Sequence, residues 1–222
     1  MLNRMRVMKN VLLRSERARG LLLALLAVAL GGCNLAALPF LLWADEPTRK
    51  VAAEYPYLGE KRTCIVVWAE MDTLFEYRDV QWELSEFVAA ELESKVPGTT
   101  VVPCREVVDY QRRTLDWDRQ DPAELGKRFG AERLLLIELT QYGTREPDSP
   151  HLYRGHVGAN LRVYDTAYPK SEPAYRGSVD TVYPPDSVGL WSSDDRGIRR
   201  AMMQAFAVDV ANKFYDRLVK VR

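Results

Sequence analysis

Few side chains in this chain could ligate a metal or attack a substrate: there are two histidines and three cysteines. A metal cluster is not expected, and no cofactor is implied. His151 and His156 lie five apart on or beside a predicted strand, so they face opposite sides, both solvated. No Gly-x-Ser-x-Gly elbow, P-loop or His-Glu-x-x-His motif is present. Gly126 and Gly130 lie within and after a predicted helix rather than before one, so they form no phosphate loop. Glu83, Glu86, Glu91 and Glu93 mark a solvated helix face more readily than a catalytic pair. Cys64 and Cys104 would pair in an oxidising compartment if their geometry allowed it. Cys64 opens one predicted strand and Cys104 follows the next. In parallel neighbours they sit about four residues, or roughly 13 Å, apart along the strand. A disulfide spans about 7 Å at most between Cα atoms, which argues against the bond that export would favour; the alternative for Cys64 is a buried thiol.

The third cysteine is different. Cys33 follows Leu21–Leu30, ten apolar residues without a charge, and the small pair Gly31-Gly32. Arg4, Arg6, Lys9, Arg14, Arg17 and Arg19 precede that run. Charge, short apolar core and small residues is the order of a secretory signal peptide. Leu30-Gly31-Gly32-Cys33 also resembles the lipobox of bacterial lipoproteins. The resemblance implies thioether lipidation of Cys33, cleavage before it and acylation of the new amino terminus. Small residues let the extended backbone enter a peptidase, and the thiol is the acyl acceptor. Each buried methylene is worth roughly 0.8 kcal/mol, so several chains anchor firmly. The competing reading is an uncleaved span, because the 25 residues Gly20–Ala44 carry no charge and about 20 suffice. The Gly pair, Cys33 and Pro39 would then fall in mid-span. Both readings leave the basic end in the cytoplasm and the body outside it. Asn34 rather than Asp after the cysteine resembles the outer-membrane sorting default.

Charge narrows the partners. The whole chain is neutral, but residues 21–222 carry 25 basic and 30 acidic side chains, a net of −5. Such a body has no broad basic footprint for nucleic acid. Hydrophobic residues at 47% and charged residues at 28% exclude wholesale disorder.

The body must then position whatever binds. We divide the chain into a signal peptide (1–32), a lipidated cysteine, apolar segment and tether (33–62), and one globular domain (63–222). Tyr55, Tyr57 and Leu58 are candidates to pack on the domain edge. Cys64–Ala69 is a β-branched run and reads as a buried strand. Val80, Leu84, Phe87, Val88 and Leu92 share one helix face, stopped by Pro97-Gly98. Thr99–Val102 is a second strand, and 105–113 a short helix or turn. Asp121-Pro122 opens a helix that ends near Gly130. Arg133–Leu139 is a third strand, central by its near-continuous apolar run. Two alternating segments, 153–163 and 175–183, form a hairpin. A helix over 196–219 closes the chain, with Phe214 and Leu218 on its apolar side. The order β-α-β-α-β-β-β-α predicts an α/β (α+β) domain with a mixed sheet of about five strands and helices packed on it.

This order resembles a small periplasmic domain shared by three groups. They are the curli-secretion lipoproteins, the lipoprotein activators of penicillin-binding proteins, and the amino-terminal domain of the Tol-system β-propeller protein. Asp121–Leu136 carries the best local match, a Gly-Lys-x-x-Gly-Ala turn feeding a central strand. Leu161–Asp165 resembles that group's strand ending in an acidic turn. The link between the third and fourth strands, about 142–151, is too short for two membrane strands of about 9–11 residues each, unlike the pore-forming branch.

Trp82, Trp117 and Trp191 fall in or near loops and helix edges. Trp117, in Leu115–Arg119, and Trp191, in Gly189–Ser192, are candidate partner anchors; capping the core edge is the competing role. Two functions remain. One is a non-catalytic envelope lipoprotein that binds another envelope protein. The other is an envelope hydrolase with an unrecognised site, which several converging carboxylates in a large pocket would support.

Overall fold

The computed structural model describes residues 48–146, 148–187 and 194–220. Cys33 and Trp191 lie outside the described residues. Five strands form one mixed sheet in the order β3-β2-β4-β5-β6. They are β2 (Arg62–Trp68), β3 (Thr100–Val101), β4 (Arg133–Glu146), β5 (Ser149–Asp165) and β6 (Tyr175–Tyr183). β2 runs parallel to β3 and β4, whereas β4, β5 and β6 are antiparallel neighbours. Five α-helices pack on this sheet: α1 (Met71–Glu76), α2 (Val80–Lys95), α3 (Cys104–Arg113), α4 (Pro122–Arg128) and α5 (Asp195–Ala211). Thr48–Val51 (β1) and Arg217–Lys220 (β7) make a separate two-stranded sheet. The fold is therefore a mixed α+β domain with an open sheet. No helix among the described residues is long and apolar enough to cross a membrane.

Alternation along the strands divides the apolar side chains between two cores. Ile65, Val67, Leu135, Ile137, Leu161 and Val163 meet α2 and α5 in the larger core. Cys64, Val66 and Leu134 meet Val107 of α3 and Leu125 of α4 in the smaller one. Leu58 is fully buried and Tyr55 nearly so in the larger core, while Tyr57 stays 65% exposed.

The Gly-Lys-x-x-Gly-Ala run is a helix stop. Asp121 caps α4 by accepting from the Ala123 N–H at 2.9 Å. At the other end the N–H of Ala131 donates to Gly126 O (3.1 Å) and that of Gly130 to Lys127 O (2.9 Å). This is a Schellman motif, with Gly130 at φ +65°. Gly126 is needed for a different reason. A Cβ there would lie 2.6 Å from Thr166 Cγ2, because α4 presses directly onto β4 and the end of β5.

Four expectations change. The segment 142–151 is not a loop: β4 and β5 extend through it, separated by residues 147 and 148. Tyr142 pairs with Val157, and its ring meets Tyr77 at 4.8 Å, so the hairpin keeps packing beyond the main sheet. The last helix stops at Ala211 instead of running to 219. The carbonyl of Lys213, which a longer helix would need, accepts from the N–H groups of Glu54 and Tyr55 at 2.8 and 3.0 Å. Phe214 is still buried, but Leu218 belongs to β7 and is 70% exposed. The short helix α1 precedes α2. Finally, Thr63 pairs with Val101, so Cys64 lies level with Val102, two residues from Cys104 rather than about four.

Both thiols are free and buried, Cys64 in the smaller core and Cys104 in the larger. Burial pushes Cys64 up to about 12 and Cys104 up to about 11. Neither is expected to react with Ellman's reagent at pH 8 until the protein is unfolded; native reactivity would contradict this packing. The raised values also set a pH dependence. The folded protein holds these protons where an unfolded thiol, near 9, releases them. Their contribution is complete below pH 9 and is lost as pH rises through about 12 for Cys64. Denaturant melts at pH 8 and pH 10.5 should show the weaker fold at the higher pH.

Candidate functional site

The two faces of the sheet are unequally covered. On the face of the smaller core, α3 and α4 lie over β2 and β4, while Asn160, Arg176, Ser178 and Asp180 of β5 and β6 remain exposed. A cavity of about 290 Å³ opens at the boundary. Val66, Leu134 and Leu136 supply its apolar lining from the sheet, and Leu125 and Pro122 supply it from α4. Trp68, the last residue of β2, and Trp117, in the 3₁₀ turn Trp117–Arg119, add two indoles. Asp118, Gln120 and Glu138 bring polar groups.

Local rules place these side chains. Parity along β2 and β4 puts Val66, Trp68, Leu134, Leu136 and Glu138 on one face. The Trp117 turn is joined to α3 by Tyr110, whose hydroxyl donates to Gln120 Oε1 at 2.8 Å. Glu138 interrupts the apolar run of β4 and is held by Arg162 of β5 at 2.8–2.9 Å. Pairing there offsets the cost of a half-buried carboxylate in the middle of the sheet.

Beyond that ion pair the surface turns basic. A shallower depression of about 510 Å³ shares Gln120 and Pro122 with the first and adds Arg119, Arg162, Lys170 and Arg176. Asp121 and Glu172 are its acids. Asp121 is occupied twice, by the α4 cap and by the Lys170 N–H, and Glu172 pairs with Arg176. An aromatic slot thus adjoins a polar rim rich in guanidinium groups. Such an arrangement can seat a flat or apolar group and hold an anion beside it.

Trp117 is half-buried and packs on the smaller core, as the core-edge role requires, and it also lines the cavity. Trp82 lies apart on α2, 40% exposed. Two other site readings change. His156 is not solvated: its side chain is 15% exposed and Nε2 lies 3.3 Å from the Glu146 carboxylate. His151 is exposed. Glu83 is ion-paired with Arg199 of α5, and Glu93 accepts from the Val101 N–H at 2.9 Å. Glu83 thus joins α2 to α5 and Glu93 joins α2 to β3, instead of only facing water. Among the described residues no three His, Cys, Asp or Glu side chains converge as a metal site. Trp68, Glu138 and Arg162 escaped the sequence reading. The one signal for them is Glu138, the lone charge within the central apolar run.

The fold and site define an open-sheet α+β domain with an aromatic cleft. No family model matches the chain. A nucleoside triphosphate pyrophosphatase of Ruegeria pomeroyi is 28% identical over 125 residues, 55% of this chain. The match spans 60% of that protein's length. Among solved structures, the lipoprotein GNA1162 of Neisseria meningitidis is 20% identical with a TM-score of 0.43, covering 68% of this chain and 98% of its own. The PelC dodecamer of Paraburkholderia phytofirmans is 10% identical with a TM-score of 0.41, covering 77% and 99%. A minor lipoprotein of Acinetobacter baumannii is 11% identical with a TM-score of 0.30, covering 70% and 90%.

Proposed function

We propose that this chain is a non-catalytic bacterial envelope lipoprotein whose body binds another envelope protein. Residues 1–32 are the signal peptide and Cys33 carries the lipid. The body, to which Tyr55 and Leu58 contribute buried side chains, stands on the periplasmic face of a membrane. Asn34 favours the outer membrane. The observation that carries the binding role is the cleft between Trp68 and Trp117, apolar inside and charged at its rim. Aromatic and arginine side chains around an apolar pocket are the usual anchors of an interface.

A photo-crosslinker at Leu115, which is 98% exposed and two residues before Trp117, should identify the partner in living cells. Trp117→Ala is then expected to weaken the purified interaction by more than about thirtyfold, the loss of about 2 kcal/mol typical of a buried indole. Its melting temperature should fall by less than that of a central-core variant, because Trp117 is only half-buried. Trp191→Ala tests the second candidate anchor in the same assay. Unchanged affinity in both would defeat the reading.

The pyrophosphatase relative motivates a second reading, in which the indoles would stack a nucleobase and the arginine-rich rim would hold phosphates. Glu138 speaks against it as a general base, since Arg162 already occupies its carboxylate. Release of pyrophosphate from nucleoside triphosphates by the purified protein would promote this alternative.

A further inference from the structure

The two edges of the five-stranded sheet are built differently. β3 closes one edge with two residues. β6 closes the other with nine, and none is proline. Its register with β5 runs without a shift from Gly155↔Tyr183 to Val163↔Tyr175. Proteins usually blunt an edge by shortness, proline, a bulge or charged side chains. The β3 edge is blunted by shortness; the β6 edge has no proline and no register shift, and its two charges, Arg176 and Asp180, are of opposite sign. Among the described residues no strand pairs with its outer side. At its first residue the Tyr175 hydroxyl donates to Glu54, and Thr181 donates to Asp209 of α5. Both contacts are made by side chains on the core face, not by the outer backbone edge.

We infer that β6 pairs antiparallel with β6 of a second copy, about a two-fold axis at Ser178. Charge selects the partner and the register. Arg176, Ser178 and Asp180 alternate along the exposed face of the strand. With the axis at Ser178, Arg176 of each copy faces Asp180 of the other, twice over. Directly opposed unlike charges stabilise an antiparallel pair, and opposed like charges destabilise it. Moving the axis to Val179 sets Arg176 against Val182, and moving it to Gly177 sets Arg176 against Ser178. Both shifts lose the two charge pairs. Arg176 now pairs with Glu172, but the two side chains are 62% and 85% exposed, so exchanging that contact costs little. The interface is isologous and closes on itself, joining two five-stranded sheets into one.

The test uses the full chain in native membranes. Directly opposed residues in an antiparallel pair have Cα atoms about 4.5–5.5 Å apart, within the reach of a disulfide. Under mild oxidation Ser178→Cys should give a covalent dimer of twice the monomer mass, which the wild type does not form. Adding Arg176→Glu should cut the yield several-fold, and adding Asp180→Arg to that variant should restore it. Three outcomes overturn the inference. One is a monomer whose introduced thiol still labels with maleimide. Another is a cross-link to a species of different mass, which assigns the edge to another protein's strand. The third is a dimer whose yield ignores both charges.

Discussion

Ile137→Asp is expected to abolish the native fold at 25 °C, and Leu135→Asp to do the same. Both side chains are fully buried on β4, opposite Val67 and Ile65 of β2 on one side and Leu161 and Val163 of β5 on the other. Their side chains enter the larger core under α2 and α5, and among the described residues no Lys or Arg is buried to pair with a carboxylate there. A buried unpaired charge costs several kcal/mol, against a total stability of about 5–15 kcal/mol. Glu138, the next residue along, shows the contrast: it points to the other face and has Arg162. Ile137→Val keeps the shape and should cost only about 0.5–1.5 kcal/mol. Thermal melts of the three variants check this. Cooperative melting of either Asp variant at the wild-type temperature would mean that β4 is not the centre of the domain.

Cys33→Ala is expected to remove all incorporation of labelled palmitate and to release the body from the membrane fraction. The expectation rests on the apolar decamer and Leu30-Gly31-Gly32-Cys33. The wild-type mature protein should begin at Cys33. The uncleaved-span alternative predicts otherwise. In that case the variant stays membrane-bound, and residues 1–32 remain on the wild-type protein. Label persisting in Cys33→Ala would equally defeat the lipoprotein reading. The two substitutions separate anchoring from folding, since position 33 belongs to the proposed anchor and position 137 to the larger core.

Elements whose signals act over a few residues were legible. The β-branched run of β2, the apolar face of α2 and the Asp121-Pro122 start of α4 each specify structure through neighbours within a turn or a pleat. The Gly126–Ala131 stop is equally local, which is why it matches a resemblance motif and a capping rule at once. Alternation in 153–163 and 175–183 announced the hairpin, and the parallel crossovers followed from the intervening helices. Strand geometry argues against a bond between the thiols without closing the question, and the structure leaves both free, in different cores.

What the sequence by itself determined is therefore the order of the main elements and the central place of β4. Each depends on composition or periodicity that a short window contains. Tertiary structure alone decided the rest. The end of α5 depends on a carbonyl taken by residues 54 and 55, more than 150 positions away in the chain. The length of the β4–β5 hairpin depends on Tyr77 and α5 packing against its far end. The cleft joins Trp68, Trp117, Glu138 and Arg162, which come from four separate segments. No local pattern encodes that meeting, because parallel pairing of β2 with β4 sets the register across an intervening stretch of helices. A side chain's face can be read from parity, but what stands across from it is settled only when the sheet closes.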